Sequence, residues 1–134
     1  MFKRIDHVEI IPRDMDVTIG FYTDVLGFRL TSRFPVPVPP LKEVAYLQLG
    51  DTALELMAFE SADDGNIGKI RVGYHAVALE VEDMARTVEY LKSKGVTISR
   101  EPVDLGTSLR GEFLDPDGLT IELRQWKAGA QRWH

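Results

Sequence analysis

Cysteine is absent from this chain of 134 residues. That excludes disulfides, thiolate nucleophiles and thiolate metal sites, so any bound metal has to be held by His, Asp and Glu. Histidine itself is scarce, with three copies. No apolar run approaches the roughly 18 residues that a membrane-spanning helix needs, and the N-terminus, MFKRIDHVEI, is strand-like rather than a signal peptide. There is no long basic run and the formal net charge is −5, which argues against a nucleic-acid groove. These absences lead us to expect a cytoplasmic protein with a small-molecule partner, no nucleic acid and no membrane. What is present fits that class, since 44% hydrophobic and 28% charged residues are the proportions of a globular domain.

Taken in order, Ile5 to Ile11 forms a first strand, with Ile5, His7 and Glu9 on one face and Asp6, Val8 and Ile10 on the other. Asp14 or Asp16 caps a helix whose apolar positions are Val17, Phe21, Val25 and Leu26, and Gly27 suits its C-terminal cap. Phe28 to Phe34 follows as a strand. PVPVPP, residues 35–40, lacks most of its amide donors and is expected to be an extended loop. Glu43 to Leu49 and Thr52 to Phe59 make a hairpin around Gly50-Asp51. The pattern then restarts. Tyr74 to Val81 is a strand, Asp83 caps a helix with Val88 and Leu91 on its apolar side, and Gly95 ends it. Thr97 to Val103, Ser108 to Leu114 and Thr120 to Trp126 supply three more strands, the last two joined by Asp115-Pro116-Asp117-Gly118, a tight-turn sequence whose aspartates bond to turn backbone rather than to metal.

Each half therefore reads β-α-β-β-β. Repeat one covers residues 1–59, a linker 60–72, repeat two 73–126 and a tail 127–134 that ends in His134, expected to be disordered. His7 and His75, Tyr22 and Tyr90, and Gly27 and Gly95 are each 68 residues apart, and Glu55 and Glu122 are 67 apart. Equivalent places in duplicated units bring one His from each first strand and one Glu from each last strand toward a common centre. Two imidazoles and two carboxylates, His7, Glu55, His75 and Glu122, suit a divalent first-row ion; the set is too nitrogen-rich to favour Ca²⁺ or Mg²⁺, and Ni²⁺, Co²⁺, Zn²⁺, Mn²⁺ and Fe²⁺ stay open.

Three stretches, HVEIIPRDMDVTIGFYTDVLGF, YHAVALEVEDM and FLDPDGLTIEL, span both repeats, and on them the chain resembles the vicinal oxygen chelate superfamily of glyoxalase and related enzymes. The resemblance implies an α+β fold of two βαβββ units forming a cupped mixed sheet around a metal. The fourfold ligand set resembles that of bacterial glyoxalase I, and Ni or Zn is the metal that this likeness favours. The implied reaction is a lyase/isomerase step. A 2-oxoaldehyde hemithioacetal becomes a 2-hydroxyacyl thioester through an enediolate that the metal stabilises, with Glu122 or Glu55 moving the proton. Methylmalonyl-CoA epimerase-like chemistry is the alternative enzyme, and a non-catalytic small-molecule binding protein of the same fold is the other. Arg33, Arg71 and Arg110 are the candidates for holding anionic ends of a substrate, possibly a thiol adduct, because guanidinium gives bidentate, always-charged recognition. The expected assembly is a homodimer with its metal sites at or near the interface.

Overall fold

The computed structural model describes residues 1–65, 67, 69–70 and 72–133. The chain divides into two units, Met1–Gly65 and Asn66–His134, a division that falls inside the 60–72 stretch. Each unit is one βαβββ module.

In the first unit, β1 (Val8–Ile10), the helix α1 (Met15–Gly20), β2 (Arg29–Val38), β3 (Leu41–Leu49) and β4 (Thr52–Phe59) follow in sequence. They assemble as a four-stranded sheet in the order β1-β4-β3-β2. β1 runs parallel to β4, and the other pairs are antiparallel. That arrangement follows from connection length, because a two-residue turn can join only antiparallel neighbours and the parallel partner needs a long crossover. Asp14 is the cap of α1, its Oδ1 accepting from Val17 N at 3.0 Å. The face that α1 buries is Met15, Thr18 and Ile19, continued by Tyr22. Val17, expected on that face, is 54% exposed. The apolar stripe begins two residues earlier, at Met15, and recurs at Ile19 and Tyr22 with helical spacing. After α1 the helix widens into one π turn, Phe21–Val25, before Gly27 leaves it in the left-handed region at φ 82°.

One expectation needs correction. The PVPVPP segment is strand rather than loop as far as Val38, with Pro35 opposite Glu43 and Val38 opposite Leu41. β2 lies at the sheet edge, where a proline's missing donor can face outward without breaking a ladder, and a register shift between Pro35 and Val38 absorbs the irregularity.

The second unit repeats the plan with β5 (Val77–Glu80), α2 (Met84–Ser93), β6 (Ile98–Asp104), β7 (Ser108–Leu114) and β8 (Thr120–Trp126), in the sheet order β5-β8-β7-β6. Asp83 Oδ1 caps α2 by accepting from Arg86 N at 3.0 Å. Met84, Val88 and Leu91 are its buried side. Phe113, Ile121 and Leu123 are buried on the adjoining strands. Between β7 and β8, Gly118 N donates to the Asp115 carbonyl at 3.0 Å, closing the expected Asp-Pro-Asp-Gly turn.

The two modules align with an offset different from the one that the landmark residues suggest. The caps Asp14 and Asp83, the buried methionines Met15 and Met84, and the buried pair Ile19 and Val88 are each 69 residues apart. Tyr22 is 2% exposed, and its counterpart at this spacing is the equally buried Leu91, whereas Tyr90 is 41% exposed. The π turn explains why the glycines that follow are only 68 apart, because it adds a residue to the first helix that the second lacks.

Candidate metal centre

Alternation along β1 turns Ile10 into the core and its neighbours outward, and on the opposite side from Ile10's face His7 meets Glu55. Parallel pairing sets Glu9 directly beside Glu55. Antiparallel pairing sets Tyr46 on the other flank of Glu55. His7 Nε2 lies 2.9 Å from Glu55 Oε2 and 3.6 Å from Glu9 Oε1. Its other nitrogen, Nδ1, is 2.8 Å from Asp6 Oδ2. The His7 ring also packs edge-on against Tyr46, with centroids 5.9 Å apart. Glu55 is only 8% exposed between Leu54 and Leu56, themselves buried. The hydrogen bond that His7 Nδ1 donates to Asp6 holds the imidazole above its ordinary pKa, with the charge of Glu55 adding to that, and the same contact holds the Asp6 carboxyl below its own. Burial pushes the Tyr46 phenol up, and the adjacent Glu55 reinforces it.

This geometry fits a divalent cation. The donor atoms of His7, Glu9 and Glu55 all lie within 4.8 Å of one another. A carboxylate on Nδ1 fixes the ring and keeps a proton on Nδ1, so that a cation displacing the Nε2 proton would meet the Nε2 lone pair at the shared centre. An imidazole with two carboxylates is a donor set for Zn²⁺, Mn²⁺, Fe²⁺, Co²⁺ or Ni²⁺.

The remaining candidates are placed otherwise. Glu122 lies on β8 beside Ala78 of β5 and opposite Glu112 of β7. Both of its oxygens are taken by guanidiniums: Arg110 Nε donates to Oε2 at 3.1 Å, and Arg124 donates to Oε1 from Nε at 2.9 Å and from Nη2 at 2.5 Å. Arg110 also donates to Glu112 at 2.5 Å. His75 is exposed in the stretch before β5, and among the described residues it makes no ion pair with Glu122. Arg33 forks onto Glu43, with Nε to Oε2 at 3.0 Å and Nη2 to Oε1 at 2.9 Å, and reaches Asp16 at 2.6 Å. Through that fork Arg33 lowers the Glu43 carboxyl's pKa. Arg71 and His134 lie outside the described residues.

Sequence reasoning missed Asp6, Glu9, Tyr46 and Arg124. The signals for three of them were available. Glu9 shares the alternation face of His7, Arg124 shares that of Glu122, and Tyr46 lies as far before the Gly50-Asp51 turn as Glu55 lies after it. Asp6 carries no such signal, because it belongs to the opposite alternation face and reaches His7 only as a chain neighbour.

Known proteins agree with this architecture. Over 127 residues the chain is 35% identical to a probable chloroplastic lactoylglutathione lyase of Arabidopsis thaliana, covering 90% of this chain and 35% of that protein. It thus spans about a third of the length of that plant relative. To a probable lactoylglutathione lyase of Synechocystis it is 33% identical, covering 89% of this chain and 92% of the relative. The crystal structure of a glyoxalase family protein from Enterococcus faecalis superposes with a TM-score of 0.80 at 27% identity, covering 92% of this chain and 98% of that one. Residues 4–123 match the family described as the Glyoxalase/Bleomycin resistance protein/Dioxygenase superfamily. With two βαβββ modules and that match over most of its length, the chain belongs to this superfamily.

Proposed function

We propose that this protein is a metal-assisted proton-transfer enzyme of the glyoxalase I type, an isomerase acting on the hemithioacetal of a 2-oxoaldehyde. The observation that carries the proposal is the His7–Glu55 contact at 2.9 Å, with the far nitrogen of the ring held by Asp6. A divalent ion bound there would supply fixed positive charge where an enediolate's negative charge develops. Glu55 is the base in this reading. It takes the proton from the carbon that bears sulfur and hydroxyl and returns it to the adjacent carbonyl carbon, while the hydroxyl proton passes to the former carbonyl oxygen, so the hemithioacetal becomes a 2-hydroxyacyl thioester without a co-reactant. Its burial, to 8% exposure, keeps water away from the transferred proton. Glu122, in the second unit, has both of its oxygens occupied by guanidinium donors and is not the base in this reading. Arg33 would hold an anionic end of the substrate by exchanging its present carboxylate partner for it.

A substrate panel tests the proposal. Methylglyoxal with several thiols, assayed with each of the five candidate metals, is expected to give metal-dependent formation of a 2-hydroxyacyl thioester. Turnover confined to the racemisation of 2-methyl acyl-CoA thioesters would replace the proposal with an epimerase. Tight ligand binding without turnover on any metal would make the protein a binding module.

The homodimer belongs to the same proposal. Ile70, Val72 and Tyr74 are apolar or aromatic and fully exposed, a surface of the kind that a second copy covers. Light scattering at micromolar concentration is expected to give twice the chain mass, and a monomer mass with and without metal would overturn it.

A further inference from the structure

We propose that Glu9 is the third protein ligand of the metal held by His7 and Glu55, and that His75 is not a ligand. This rests on the metal-centre reading above and adds to it a residue that the repeat arithmetic does not select.

Three observations converge on Glu9. Its Oε1 faces the same His7 Nε2 that Glu55 faces, at 3.6 Å against 2.9 Å. Register in the parallel pair fixes the neighbour relation, because Glu9 is the β1 partner of Glu55. Among the described residues, neither carboxylate has an arginine or lysine in ion-pair range. Two adjacent carboxylates, one of them nearly fully buried, carry a charge that a single imidazole cannot offset, and a divalent cation can. Glu122 shows the contrast. It has two guanidiniums on it, so its charge is compensated within the protein.

His75 fails on register. Glu55 has Glu9 beside it, and Glu122 has Ala78 beside it. His7 stands two residues before Glu9, and two residues before Ala78 stands Ala76. The same spacing of 69 is fixed independently by the helix caps and by the buried methionines. Alanines therefore occupy, in the second unit, the places of both His7 and Glu9. His75 is one residue out of step, which along extended chain is a change of face.

Titration of the full-length, chelator-treated protein with Co²⁺, followed by d–d absorption and by metal content after gel filtration, tests this. Wild type is expected to bind one Co²⁺ per chain and H7A none at stoichiometric concentration. Glu9→Gln should weaken Co²⁺ at least about 10-fold, and His75→Ala should stay within about twofold of wild type. Glu9→Asp, which keeps the charge on a shorter arm, should fall between wild type and Glu9→Gln, with circular dichroism confirming that each variant is folded. If wild type binds and H7A does not, while Glu9→Gln matches wild type or His75→Ala loses as much as H7A, the assignment of Glu9 is overturned and the metal centre stands. If wild type binds no Co²⁺, or H7A binds like wild type, both are overturned.

Discussion

Glu55→Gln is expected to lower the affinity for a divalent first-row metal by about 100-fold or more, while leaving stability within about 1 kcal/mol of wild type. The amide has the shape of the carboxylate, and its oxygen can still accept from His7 Nε2, which lies 2.9 Å from Glu55 Oε2. Packing around the buried side chain is therefore retained. What is lost is the buried negative charge and one strong ligand. Turnover should fall with it by a further factor of ~10²–10⁴, since an amide cannot accept the substrate proton. Glu55→Asp should recover part of the metal affinity, although its shortened arm withdraws the oxygen from the centre. Metal content and thermal melting measured on the same preparations check both halves. Full metal occupancy in Glu55→Gln would remove Glu55 from the centre, and a collapse of stability would make its role structural.

Asp115→Ala is expected to destabilise the protein by about 2–4 kcal/mol, the largest effect on folding outside the apolar core. Asp115 is 5% exposed. Its Oδ1 accepts from Asp117 N at 2.8 Å and from Leu119 N at 3.0 Å, inside the turn that joins β7 to β8. Alanine leaves two backbone donors of a buried turn without that acceptor, at about 1–3 kcal/mol for each group left unsatisfied. Asp115→Asn keeps the accepting oxygen and should restore most of the loss. The turn also fixes the pairing of Glu112 with Glu122 and of Arg110 with Arg124, so any slip would turn Glu122 away from Arg110 on the neighbouring strand. Denaturant unfolding of the wild type and both variants measures this. An alanine variant within about 0.5 kcal/mol of wild type, the range of an ordinary surface substitution, would refute the role.

Most of the architecture follows from local sequence. The last two strands begin and end where alternation and the Asp-Pro-Asp-Gly turn place them, and Asp14 and Asp83 cap their helices through contacts three residues long. The face shared by His7 and Glu9 follows from the two-residue period of extended chain. All of these are set by covalent geometry and near neighbours, which a sequence displays directly. Tertiary structure decided what depends on pairing between distant segments. PVPVPP looks like a loop because its donors are missing, and only its place at a sheet edge lets it remain strand. Glu122 looks like the twin of Glu55 in sequence, yet guanidiniums from Arg110 and Arg124 close on one of them and an imidazole on the other. His75 looks like the twin of His7 because a π turn in one helix leaves Gly27 and Gly95 the same distance apart as the two histidines. An inserted helical residue leaves the local apolar pattern intact while moving every count that crosses it, so the hydrogen-bonded register of β1 on β4 and of β5 on β8 had to decide which residue stands beside each carboxylate.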